Sequence, residues 1–191
     1  MSPRDTQAVL LDAAQELVQV RGYNAFSFRD LAERVGIKSA SIHYYFPSKG
    51  DLCRALLVRY RQRFNAALAD IDRRGRGPRR KLKSYTQLFH DTLEMGNRMC
   101  LCGMLAADLE TLPPQVLDEL RGFFTDNQEW LAKVLTEGQE TGKARFDGDA
   151  EAEARLIVSG LEGAMLVARL YGDLKLFESM ARSLIARLWV R

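Results

Sequence analysis

Ser27-Phe28-Arg29-Asp30-Leu31-Ala32-Glu33-Arg34-Val35-Gly36-Ile37-Lys38-Ser39-Ala40-Ser41-Ile42-His43-Tyr44-Tyr45-Phe46-Pro47-Ser48-Lys49 reads as two short helices with a turn between them. The Ser27-x-x-Asp30 spacing is that of a capping box: the serine hydroxyl accepts from the Asp30 backbone N–H, and the carboxylate reaches back to Ser27. Leu31, Ala32 and Val35 give the first helix a buried side, Gly36 supplies the permissive backbone of a tight turn, and Ile37 plugs the junction. The second helix stops before Pro47. Its inward anchors are Ile42, Tyr45 and Phe46, while Lys38, Ser39, Ser41, His43 and Tyr44 form an outward polar set. A two-helix unit of this kind lays its second helix in the major groove, with the N-terminal residues at base edges. Lys38, Ser39 and Ser41 are therefore the base-edge candidates. Tyr44, Ser48 and Lys49 suit phosphates, Arg29 reaches the DNA backbone from the first helix, and His43 offers a ring nitrogen to a phosphate or a base. The pattern alone also fits a plain helical hairpin with a polar surface.

Helical periodicity extends outward from this stretch in both directions. Leu10, Ala14, Leu17 and Val18 share one face ahead of Gly22. Leu52, Leu56, Tyr60, Phe64, Leu68 and Ile71 form a longer stripe, which should end in the basic linker Arg73-Arg74-Gly75-Arg76-Gly77-Pro78. Further stripes run from Leu82 to Leu93, closing near Gly96-Asn97, and from Leu117 to Leu135, closing near Gly142. A last pair, 154–168 and 174–188, divided by Gly172, suits an antiparallel hairpin with Asp173 capping its second helix. A short apolar segment, Met104 to Leu109, precedes Pro113-Pro114. No alternating segment is long enough for a sheet, so the expected class is all-α. The expected division is a helix-turn-helix domain at 1–47, a connecting helix and linker at 48–78, and a ligand-binding and dimerisation domain at 79–191.

The 191 residues include 28 Lys+Arg, 25 Asp+Glu and three Cys, an ordinary globular composition with no disulfide framework. The richest apolar run, Leu156 to Ala168, is interrupted by Ser159, Gly160, Glu162 and Gly163, so no membrane span is expected. A reducing cytoplasm is the expected compartment. Residues 1–83 carry a net charge of +9 and residues 84–191 carry −6. That asymmetry suggests a polyanion partner at the first end, or an excess of solvated arginines.

Gly36-Ile37 through Phe46-Pro47-Ser48-Lys49, followed by Asp51-Leu52, resembles the DNA-binding signature of TetR-type transcriptional regulators. The likeness extends back through Ala13-Ala14, Gly22 and Ser27–Ala32, and more loosely to residues 142–163. It implies an all-α homodimer, an N-terminal domain on a palindromic double-stranded operator, and repression relieved by a small molecule. His43 stands where the family commonly has tyrosine, and Lys38 precedes the serine that opens the recognition helix. Operator sequence therefore does not carry over.

A two-fold dimer doubles the contacts on half-sites about 34–36 Å apart or at multiples of that distance. The C-terminal hairpin is expected to make the dimer, through small Gly160, Ala164 and Ala168 and apolar Leu161, Met165, Leu184, Ile185 and Leu188. Aromatic and methionine side chains concentrate in 85–131. Tyr85, Phe89, Met99, Met104, Phe124 and Trp130 are candidates for an apolar effector pocket, with His90, Asp91 and Asn127 as its polar contacts. The bland alternative is an ordinary core. Cys100 and Cys102 are further candidates for that pocket. A partly exposed thiol beside Arg98 would also make a redox or electrophile sensor. No catalytic grouping, metal set or cofactor motif appears, so neither an enzyme nor a cofactor is expected.

Overall fold

The structure is a computed structural model. It describes residues 3–75 and 77–189, with side chains from Asp5 onward, so Arg76 of the expected linker lies outside the described residues. The helices are α1 (Pro3–Arg21), α2 (Phe28–Val35), α3 (Ser39–Tyr45), α4 (Lys49–Arg73), α5 (Pro78–Glu94), α6 (Leu101–Ala107), α7 (Pro114–Glu140), α8 (Ala150–Tyr171) and α9 (Leu174–Ala186), with a 3-10 turn at Leu109–Thr111. Among the described residues the extended backbone pairing is one isolated bridge, Ala144 with Trp189. No described helix is long and apolar enough to cross a membrane.

Two compact units emerge: Met1–Gln62 with Leu101–Phe123, and Arg63–Cys100 with Phe124–Arg191. In the first, the α1 stripe Leu10, Ala14, Leu17 and Val18 is buried together with Leu31, Ile42, Phe46, Leu52, Leu56 and Leu57. The chain leaves α1 through Gly22 in the left-handed region (φ 88). Asp108, just beyond α6, then holds this turn by accepting from the Tyr23 backbone N–H at 2.7 Å and from Asn24 Nδ2 at 3.1 Å.

In the second unit, α5 buries Leu82, Tyr85, Phe89 and Leu93 against α8 and α9, and the α8–α9 hairpin is the most extensive helix pair. Asp149 and Asp173 cap α8 and α9, and Gly172 turns between them in the left-handed region (φ 63). The C-terminal segment folds back: the Arg145 N–H donates to the Leu188 carbonyl at 2.8 Å. Gly138 of α7 makes that return possible, since a Cβ there would stand 2.8 Å from Ala144 Cβ.

Two effects compete at Gly138. Alanine is favoured in a helix interior by about 1 kcal/mol, but the methyl would meet another Cβ that cannot rotate away. Overpacking of this kind costs about 1–3 kcal/mol. Gly138→Ala is expected to lower the melting temperature in a thermal scan followed by circular dichroism. An unchanged or raised value would show that the 144–189 return is not tightly seated.

Candidate nucleic-acid interface and interior polar cluster

The capping box at α2 is complete. Asp30 N–H donates to Ser27 Oγ at 3.3 Å, and the Ser27 N–H donates to Asp30 Oδ2 at 2.6 Å. Hydrogen bonds from Ser27, its hydroxyl first, hold the Asp30 carboxyl below its ordinary range. Gly36 ends α2 in the left-handed region (φ 75), and its N–H and that of Ile37 both donate to the Ala32 carbonyl. The chain thus turns into α3 within two residues.

On α3, Ile42 is fully buried, while Lys38, Ser41, His43 and Tyr44 are exposed and Ser39 is half-buried. Tyr44 is 81% exposed, its ring edge-on to Tyr45 at 5.1 Å. The His43 ring meets Phe28 edge-on at 4.9 Å, and its Nδ1 lies 3.2 Å from the Pro47 carbonyl. That carbonyl only accepts, so Nδ1 carries the proton and Nε2 is left to face outward as an acceptor in the neutral ring. Arg29 is exposed and pairs with Glu33 at 3.2 Å.

Ser48 and Lys49, the expected phosphate contacts, are bonded within the chain. Ser48 Oγ donates to Asp51 Oδ2 at 2.6 Å and accepts from the Asp51 N–H at 3.1 Å, a second capping box that starts α4. Its Ser-x-x-Asp form is the same sequence signal as at Ser27. Lys49 turns inward: its ammonium donates to the Phe26 carbonyl and lies over the Tyr23 and Phe26 rings at 4.5 and 4.3 Å. Burial pulls its pKa down. A lysine seated on two rings and a carbonyl fastens the start of α4 to the loop before α2.

The charge asymmetry also resolves differently from the expectation. Residues 1–62 hold nine basic and six acidic residues, whereas 63–83 hold eight basic and two acidic. Residues 101–123 of the first unit add Arg121 and four acids, so that unit is neutral as folded. Most of the basic excess therefore belongs to the second unit. On the exposed side of α2 and α3 the local cations include Lys38 and the Glu33-paired Arg29, beside polar side chains.

Of the effector candidates, Cys102 and Met104 fall in the first unit, where Met104 lies beside Gly22. The others share the second unit. Tyr85 and Asn127 are fully buried and joined at 2.9 Å, the phenol donating to Oδ1. Trp130 stacks on Tyr85 at 5.6 Å and donates from Nε1 to Asp72 at 2.9 Å. Phe89 stands 5.3 Å from Tyr85, Met99 and Cys100 are buried, and Phe124 is half-buried. His90 lies apart from this cluster, bound through Nε2 to Glu178 at 3.2 Å. With Asp91 and Glu94 it forms the one group of three possible metal ligands among the described residues. Both of its ring nitrogens are already engaged by side chains.

Glu162 joins the interior. Both carboxyl oxygens are sealed from solvent with no N–H or O–H donor in range, and the Cys100 thiol and Tyr85 are its polar neighbours. Burial raises this carboxyl well above its ordinary value of 4.5, and burial likewise raises the Tyr85 phenol. The sequence signal for Glu162 was a lone acid inside the apolar run 156–168. The sensor alternative needs a partly exposed thiol, whereas Cys100 and Cys102 are 3% and 0% exposed, and Cys53 is 2% exposed. Burial pushes the Cys53 thiol up to about 12.

The expected dimer residues lie largely within the subunit. Leu161, Ala164, Met165, Ala168 and Leu188 are buried inside the subunit, Gly160 admits Leu184 of α9 (a Cβ there would be 2.7 Å from Leu184 Cδ2), and Ile185 faces α5. Small residues brought α8 and α9 of one chain together. The outward face of α8 instead carries Leu156, Leu166, Val167, Leu170 and Tyr171, 39–79% exposed, around Gly163, above which there is open space.

Residues 10–56 match the family described as bacterial regulatory proteins, tetR family, and residues 77–184 match the tetracyclin repressor-like C-terminal domain. The chain is similar to the transcriptional regulator AcuR of Cereibacter sphaeroides, with 27% identity over 84% of this chain and 75% of that one. It is also similar to the transcriptional repressor DhaR of Mycobacterium sp. strain GP1, with 25% identity over 82% and 79%. Among solved structures, a TetR-family transcriptional regulator from Agrobacterium tumefaciens superposes with a TM-score of 0.95 at 33% identity, covering 99% of this chain and all of that one. A TetR transcriptional regulator from Legionella pneumophila gives 0.88 at 34%, covering 98% and 100%. With an outward polar recognition helix, an all-helical second unit and both family profiles in sequence order, the chain belongs to the TetR family of bacterial transcriptional regulators.

Proposed function

We propose that the chain is a homodimeric repressor that a small-molecule effector releases from a palindromic operator. The observation that carries this reading is the face of α3, where Lys38, Ser39, Ser41, His43 and Tyr44 are turned away from a buried Ile42. Lys38, Ser39 and Ser41 meet base edges. Tyr44 and Arg29 meet phosphates, and His43 offers Nε2. Ser48 and Lys49 set the angle of α4 and touch the duplex at most through their backbone.

The dimer forms through the exposed stripe of α8. Gly163 leaves room for a second helix to approach closely, and Leu166 and Leu170 supply apolar area that has no cover in one subunit. The effector site is the interior cluster of Tyr85, Asn127, Cys100 and Glu162. A buried carboxyl whose hydrogen-bond neighbour is the weak thiol of Cys100 is under-satisfied, at a cost of about 1–3 kcal/mol, and a ligand that offers it a stronger hydrogen bond recovers part of that cost. The chain passes from Cys100 directly into α6, and Asp108 beyond α6 grips the turn at Tyr23 and Asn24. Movement at Cys100 therefore reaches the turn ahead of α2 through the chain of α6 and the hydrogen bonds of Asp108. A coupling of about 1–3 kcal/mol changes operator affinity about 5–150-fold.

Titration onto the DNA upstream of its own gene at several salt concentrations tests the first claim. Specific retention that weakens as salt rises is expected, and Lys38→Ala should weaken operator binding and relax the sequence preference at its contact, with little change in the salt slope. Lys49→Ala should lower thermal stability and leave the slope unchanged. Binding no tighter than to random DNA would refute the reading.

Sedimentation tests the dimer: Leu166→Glu with Leu170→Glu should yield a folded monomer, because both side chains stand clear of their own subunit. A dimer that persists would place the contact elsewhere. For Glu162, the folded carboxyl keeps its proton at a pH where the unfolded one has lost it. Stability therefore falls as pH rises above 4.5 until the folded group ionises. Glu162→Gln should flatten the decline in melting temperature between about pH 5 and pH 8. An unchanged slope would mean that the carboxyl is not held neutral.

A further inference from the structure

A trough of about 650 Å³ runs between α5 and α9 of the second unit, within the usual range of small-molecule sites, about 300–1,000 Å³. We propose that it binds a single-chain anionic amphiphile of the fatty-acid type. The carboxylate lies among Arg79, Arg80, Lys83 and Arg182, and the chain lies over Phe177, Ile185 and Trp189.

Three features point to an anion with an apolar tail. First, the four cations are exposed, and none has an ion-pair partner among the described residues. The acid of the trough, Glu178, is bound to His90 at 3.2 Å, and nearby Lys81 is the cation that Asp72 and Glu137 neutralise. Second, Arg79 and Arg80 sit in the first turn of α5, which contains no acidic residue. The helix dipole already places partial positive charge there, so the cluster is unfavourable without an anion. Third, Trp189 lines the trough with its ring 8% exposed, and its indole N–H has no acceptor. Its backbone is pinned by the bridge to Ala144, so the ring is held in place.

Other occupants fit less well. An extended peptide needs a free backbone edge to pair with, and both walls are helices whose own bonds are satisfied. A duplex offers phosphates but no apolar tail for the side of the trough lined by Phe177, Ile185 and Trp189. A second copy of the chain has the α8 stripe, whereas Glu178, Arg182, Ile185 and Trp189 turn the other side of α9 toward α5.

Calorimetry on the full chain tests the proposal with four probes: decanoate below its micelle-forming concentration, decyltrimethylammonium, inorganic phosphate, and vesicles of anionic phospholipid. Saturable decanoate binding is expected, with no binding of the ammonium amphiphile. In Lys83→Glu with Arg182→Glu the affinity should fall about tenfold or more. Both side chains are exposed, and an unchanged melting temperature verifies the variant's fold. Equal affinity for the ammonium compound would overturn the proposal, as would phosphate binding as tight as decanoate, or vesicle capture without decanoate binding. Decanoate binding that survives the charge reversal lies elsewhere, for example in the interior cluster, and refutes the trough. Operator binding in the same samples keeps this outcome separate from the regulator reading.

Discussion

A helix of seven residues has no stability of its own, because nucleation fixes several backbone angles before hydrogen bonds repay them. The function of this chain nonetheless rests on holding α3 still with its polar side outward. The sequence meets that constraint with clamps at both ends. Ser27 and Asp30 start α2, and Gly36 turns the chain within two residues. Ile42 and Phe46 anchor the inner side of α3. Ser48 and Asp51 start α4, and the Lys49 ammonium ties that start back to the Phe26 carbonyl. Remove the clamps and the outward residues are still present, but their spacing is no longer defined to the precision that base recognition needs.

Features set by local chemistry were legible in the sequence. The capping box at Ser27, the left-handed turn at Gly36, the end of α3 before Pro47 and the buried stripe of α1 all follow from residue type and spacing over fewer than ten positions. Ser48 and Lys49, read as phosphate contacts, are bonded within the chain. A serine and a lysine at a helix start look alike whether they meet a phosphate or their own chain. The partners that decided the matter were Asp51, three residues on, and Phe26, 23 residues back. The second of these pairings is tertiary and leaves no local trace.

The small-residue face of α8 shows the same limit more sharply. Glycine and alanine at helical spacing announce close approach of a second helix but do not say which one. Within one chain that neighbour is α9, with Leu184 filling the gap beside Gly160. The surface left for a partner is the large, exposed apolar side chains around Gly163. The sequence had hidden these as part of a continuous apolar run, since a helix hydrophobic on most of its circumference does not say which side faces its own core.

Charge gives the last step. Counted along the chain, the basic excess lies at the N-terminal end, beside the helix-turn-helix. Counted in space, the unit carrying α3 is neutral, and the excess sits in the other unit, concentrated between Arg63 and Lys83. Two of these residues occupy the first turn of α5, the end of a helix where positive charge is least favourable. A DNA-binding surface with little net charge depends on close fit more than on long-range attraction, so its discrimination between sequences should exceed its general hold on a duplex. Cations unpaired at the opposite kind of site, beside an apolar trough and a buried indole N–H, are better explained by an acidic amphiphile than by any role in steering the protein to its operator.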